Sequence, residues 1–109
     1  MDKTQGYLFD IQHSCQLIEQ FIEGKDFVAF SNDLMCQDAI LRRIEIIGEA
    51  SNKLDEDFKN AHPEILWHLI RGMRNRLVHD YNEVDLELVW HTIQTNIPEL
   101  KVKMEKLLK

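Results

Sequence analysis

Apolar residues recur at three- and four-residue steps along most of this chain, the period of helices that each bury one stripe. Tyr7, Leu8, Ile11, Cys15, Ile18, Phe21 and Ile22 mark a first helix, and Gly24 stands where it would stop. After a short apolar piece at Phe27, Val28 and Phe30, any of Ser31, Asn32 and Asp33 is suited to cap a second helix. Its face comprises Leu34, Ile40, Leu41, Ile44, Ile47 and Leu54. Gly48 inside it costs roughly 1 kcal/mol relative to alanine, and a close helix crossing would be sufficient reason for it.

The runs Asp55-Glu56-Asp57 and His62-Pro63 bracket a connection. Pro63 suits the first turn of a third helix, where its missing N–H costs nothing. That helix is predicted to run through Ile65, Trp67, Leu69, Ile70, Met73, Leu77 and Val78 and to end near His79. Asp85 caps a fourth, bearing Leu88, Val89, Trp90, Ile93, Ile97, Leu100, Met104, Leu107 and Leu108, which Pro98 kinks or splits. No Asn-Gly or Asp-Gly pair separates alternating runs, so no hairpin is signalled. The predicted fold is all-α, an antiparallel bundle of about four main helices in one domain spanning residues 1–109.

A formal net charge of -6 argues against sequence-blind coating of nucleic acid or anionic membrane. No apolar run is long enough to span a bilayer, and Met1–Gln5 lacks the basic-then-apolar pattern of a signal peptide. A cytoplasmic protein is expected. Cys15 and Cys36 fit no metal-ligand spacing and are too few for a disulfide scaffold, so reduced, packed thiols are expected.

Against that acidic background, no carboxylate stands between Glu64 and Asp80, whereas His68, Arg71, Arg74, Arg76 and His79 all do. This local reversal of charge is the natural place for an anion. Continued as a helix, the segment sets Asn75 and His79 one turn apart on one face, and Arg74 and Tyr81 on a shared face. The long Arg74 side chain bridges the remaining angle to His79. Metal-free RNA cleavage needs a base for the ribose 2′-hydroxyl, a cation for the crowded phosphorane and a departing 5′-oxygen. His79 suits the proton transfer because its unperturbed pKa lies near neutrality. Arg74 offers a permanently charged planar fork that matches phosphate. Arg71 and Arg76 supply further positive charge for an RNA backbone. The plain alternative is that basic residues at a helix end only satisfy its terminal carbonyls and dipole.

The string Arg74-Asn75-Arg76-Leu77-Val78-His79-Asp80-Tyr81 has the form Arg-x4-His-x-Tyr and resembles the signature of the HepT-like toxins, a branch of the HEPN superfamily of helical ribonucleases. Ala39 to Ala50, with Ile47-Gly48-Glu49-Ala50 at its end, is similar to that family's second-helix segment; Trp67, Val89-Trp90 and Pro98-Glu99-Leu100 match as well. The resemblance covers essentially the whole chain. It implies an all-α homodimer, open to pairing into a higher oligomer, whose two motif copies face each other across a composite cleft. It implies metal-independent endoribonuclease activity on RNA, tRNA included, with no cofactor. Arg74 and His79 would be catalytic and Asn75 supporting. The implied partner is an MntA-type nucleotidyltransferase antitoxin that transfers AMP to Tyr81, where a bulky anion would block the cleft.

Other candidates read as structural. His13 and Cys15 point to different helix faces and lack a matching second pair for a metal. His62 is expected in a turn, His68 and His91 at partly exposed helix positions. Arg42 and Arg43 are expected to pair with Glu45, Glu49 or Asp38. Trp67 and Trp90 read as core or dimer-interface aromatics, and Met35, Met73 and Met104 as packing. Two functions therefore stand: a ribonuclease toxin, or a non-catalytic nucleotide- or RNA-binding adaptor that docks a nucleotidyltransferase.

Overall fold

The carboxylate of Asp2 accepts the Gln5 N–H at 2.8 Å and opens helix α1, Lys3–Phe21. The computed structural model describes residues 2–79 and 83–109. Past α1 the chain turns at Gly24, whose φ of +76° lies in the left-handed region open to glycine. Asp26 caps a one-turn helix α2, Phe27–Ser31, and Asp33 caps α3, Leu34–Lys53, by accepting the Cys36 N–H at 3.0 Å. The expected connection after α3 holds a short helix instead, α4, Glu56–Asn60.

The expected third helix is broken. It divides into α5, Trp67–Arg71, and α6, Met73–Leu77, with Gly72 between them. Pro63 lies in the turn ahead of α5 rather than in its first turn. There the Trp67 indole N–H donates to the carbonyls of Lys59 and His62, each at 3.2 Å, and ties α4 to the start of α5. Val78 is already extended, and β1, Val78–His79, pairs antiparallel with β2, Glu83–Val84, in the register Val78↔Val84 and His79↔Glu83. The sequence gives no hairpin signal for this pair. Asp85 caps α7, Leu86–Gln94, as expected, by accepting the Leu88 N–H at 3.1 Å. The expected split follows at Thr95, and Pro98 sits in the first turn of α8, Asn96–Leu107.

The fold is all-α apart from that two-strand pair. Helix α1 packs along both α3 and α8, while α5 and α6 lie on α3 and α7 joins α8. Leu8, Ile11 and Ile18 of α1 meet Ile40, Ile44 and Ile47 of α3 and Ile97 and Met104 of α8 in a fully buried core. Each such side chain contributes about 1.5–3 kcal/mol by leaving water. Phe27, Phe30 and Trp90 form an aromatic cluster that holds α2 to α7. Met73 and Met104 are buried as expected, but Met35 is 82% exposed, as is much of its chain neighbour Leu34. It belongs to the solvated start of α3, not to the core. Among the described residues, no helix is long and apolar enough to cross a membrane.

The predicted close crossing falls at Gly48. A Cβ there would stand 3.5 Å from the Arg71 carbonyl oxygen and 3.8 Å from that of Ile70, so the α5 backbone lies directly on α3. These are ordinary contact distances, which leave room for one methyl group and nothing larger. Gly48→Ala is therefore expected to hold or raise stability by up to about 1 kcal/mol through helix propensity. Gly48→Leu should lower it by about 1–3 kcal/mol by pushing α5 away. Urea unfolding of the two variants checks this.

Cys15 is fully buried, and desolvation first, with the negative charge of Glu19 second and opposed by Lys101, pushes its thiol up to about 12. The unfolded chain ionises this thiol from about pH 9, whereas the folded chain does not until about pH 12. Stability linked to Cys15 is thus complete below pH 9 and falls as pH rises, by about 1 kcal/mol per unit. Urea unfolding between pH 8 and 10 should show this loss. Cys15→Ala, less stable throughout, should show a flatter dependence.

Candidate active site

Helix α6 is one short element anchored by two side chains. Met73 and Leu77 stand one turn apart and are buried, which turns Arg74, Asn75 and Arg76 outward to solvent. Arg76 folds back across the Gly72 break, and its Nη2 donates to the Leu69 carbonyl at 2.8 Å. A side chain at Gly72 would crowd it, since a Cβ there would lie 3.3 Å from Arg76 Nη1. Arg76 thus closes a gap between α5 and α6. Two positions before it, and so roughly 200° around the axis, Arg74 reaches across to α3 instead.

There Arg74 Nε lies 3.1 Å from Glu45 Oε2, while Arg42 Nη1 donates to Glu45 Oε1 at 3.0 Å and lies 3.8 Å from Glu49. The expected pairing of Arg42 with Glu45 and Glu49 is present, but Glu45 also holds the proposed catalytic arginine. Arg74 keeps 45% of its side chain exposed. Arg71 and His68 are exposed on α5 and line a depression of about 450 Å³ together with Asn52, Lys59, Asn60 and Trp67.

His79 is 56% exposed and sits in β1, opposite Glu83. This corrects its expected place on the helix. Because α6 ends at Leu77 and Val78 is extended, Asn75 and His79 are not one helical turn apart. Asn75 is simply an exposed residue of α6. The carboxylate of Asp85 does two things: one oxygen caps α7, and the other, Oδ2, lies 3.7 Å from His79 Nε2. That spacing makes an ion pair when the ring is protonated, though it is long for a hydrogen bond. Tyr81 and Asp80 lie outside the described residues, so the expected convergence of Arg74 and Tyr81 on one face does too.

Arg74 and His79 therefore occupy adjoining elements, both open to solvent, each beside its own carboxylate. The reading from sequence missed the two carboxylates as site residues. Asp85 carried a capping signal only, and nothing local shows that Glu45 of α3 meets α6. Among the described residues, no group of three or more His, Cys, Asp and Glu is arranged to hold a metal ion.

Comparison with known proteins bears on what this arrangement does. A family model described as "Ribonuclease HepT-like" matches residues 11–107. A protein of Thermococcus cleftensis named "Probable ribonuclease HepT" is 46% identical over 105 residues, which cover 96% of each chain. Two relatives each named "Putative RNase" are both 34% identical. One, from Methanocaldococcus jannaschii, aligns over 94% of each chain. The other, from Caldanaerobacter subterraneus, aligns over 99% of this chain and 96% of its own. No solved structure gives a significant match.

The double engagement of Asp85 can be divided by substitution. Asp85→Ala should lose the α7 cap and about 1 kcal/mol in urea unfolding, whereas Asp85→Asn, an equally good cap, should stay within a few tenths of the parent.

Proposed function

This chain belongs to the HepT-like ribonuclease family, and on that premise we propose that it is a metal-independent endoribonuclease using Arg74 and His79. His79 takes the proton from a ribose 2′-hydroxyl. The 2′-oxygen attacks the adjacent phosphorus, and the phosphorane's added charge is met by the Arg74 guanidinium. The bond to the 5′-oxygen then breaks, leaving a 2′,3′-cyclic phosphate on one fragment and a 5′-hydroxyl on the other. In the composite cleft of a homodimer, the partner subunit's His79, entering protonated, supplies the proton to the leaving oxygen. Asn75, exposed on α6, supports the bound phosphate, and Arg71, exposed on α5, meets the RNA backbone, whereas the Arg76 expected beside it is engaged on the Leu69 carbonyl.

The observation that carries this reading is the solvent-open pair Arg74 and His79 inside a chain matched to a ribonuclease family over residues 11–107. The same family likeness supports a toxin role in the cytoplasm, with an MntA-type nucleotidyltransferase as antitoxin and Tyr81 as the site of AMP transfer. An adenylyl group at Tyr81, two residues past His79, adds bulk and negative charge where the substrate phosphate must enter. Repulsion and blockage then silence the enzyme together.

Purified protein without nucleotide on Tyr81 should cut RNA in the presence of EDTA. His79→Ala and Arg74→Ala should each slow cutting by about 100-fold or more. Both side chains are exposed, so folding should be nearly unchanged. Cleavage that survives His79→Ala sinks the assignment. If no RNA is cut under any condition while a complex with the nucleotidyltransferase still forms, the non-catalytic adaptor reading replaces it.

A further inference from the structure

We infer that Glu45 is a positioning residue for Arg74, fixing the Nε side of its guanidinium so that the two terminal nitrogens present a fork to the substrate phosphate. The inference rests on the ribonuclease reading of Arg74. The contact itself is between Arg74 Nε and Glu45 Oε2 at 3.1 Å. An arginine fork grips phosphate best through two parallel N–H bonds, and the edge formed by the terminal nitrogens is one that can make them. Engagement at Nε leaves that edge unspent.

Glu45 is placed to act as an anchor. It stands on the 20-residue helix α3, and its neighbours Ile44 and Ile47 are buried in the core, so its backbone is fixed by packing. Its second oxygen is held by Arg42 at 3.0 Å, which sets the plane of the carboxylate. Arg74, in contrast, rises from a five-residue helix and is nearly half exposed. Left alone, so long a side chain would spread over many rotamers and meet the phosphorane in only a few of them. A carboxylate beside a phosphate site would ordinarily repel the substrate. Here two guanidiniums flank Glu45, and Glu49 touches only the outer one, at 3.8 Å.

An exposed ion pair of this kind adds little to stability, so its loss should register in turnover rather than in unfolding. RNA cleavage by the full-length chain is compared for wild type, Glu45→Ala, Glu45→Gln, Arg74→Ala and the double variant Glu45→Ala with Arg74→Ala. Glu45→Ala should lower kcat by about 5-fold, the most by which an exposed ion pair can enrich the productive Arg74 rotamer. KM and the thermal midpoint should barely move. Glu45→Gln keeps the side chain's size and one oxygen beside Nε and should recover part of the rate. In the Arg74→Ala background, Glu45→Ala should add no further loss. Wild-type or faster cleavage by Glu45→Ala overturns the inference, as does a Gln variant no better than Ala or a full additional loss in the double variant. If Arg74→Ala is slow while Glu45→Ala is not, only the role of Glu45 falls. If wild type cuts nothing, the ribonuclease reading falls first and takes the role of Glu45 with it.

Discussion

A residue no larger than alanine at Gly48 lets α5 lie close against α3, and the placement of the arginine segment follows from that approach. With the Ile70 and Arg71 carbonyls resting on α3, the next short helix must also run beside α3. One turn before Gly48 on that helix stands Glu45, within reach of Arg74. Met73 and Leu77 then fasten α6 to the core through buried apolar surface, which is where the energy lies. The charged contacts on the outside decide direction. Packing puts the element in place, and Glu45 orients what it carries.

The charge distribution makes the same division. An acidic chain carries its arginines in two clusters, on α3 and on the α5–α6 segment, and these clusters meet at Glu45. Surface ion pairs are worth at most about 1 kcal/mol each, so these contacts do not account for the stability of the bundle. They restrict conformations instead. Arg76 is turned to internal use on the Leu69 carbonyl, Arg74 is steadied by Glu45, and His79 stands near a carboxylate already committed to capping α7.

Features set by short-range chemistry were legible in the sequence. The buried stripes of α1, α3, α7 and α8, a cap within Ser31–Asp33, the cap at Asp85, the turn at Gly24 and the split near Pro98 all follow from periodicity and local hydrogen bonding. Features set by distant partners were not. Leu77-Val78 reads as helix because both residues are apolar, yet Val78 is extended because Val84 pairs with it across the strand ladder. The break falls at Gly72, where Arg76 folds back onto the Leu69 carbonyl, and Met35 is exposed because, among the described residues, no element covers the start of α3. At the site, Arg74 and His79 were legible as chemistry through spacing and family resemblance. Their carboxylate neighbours were not, because each meets its basic partner only through the fold.

The two tryptophans sit in unlike surroundings. Trp67 donates its indole N–H to two backbone carbonyls immediately ahead of α5, whereas Trp90 packs edge-on and tilted against Phe27 and Phe30 between α2 and α7. The molecule therefore carries two native optical reporters: the emission of Trp67 follows the arginine-bearing segment, and that of Trp90 follows a separate aromatic cluster. A chain keeping only one of them would show which region responds when an anion arrives.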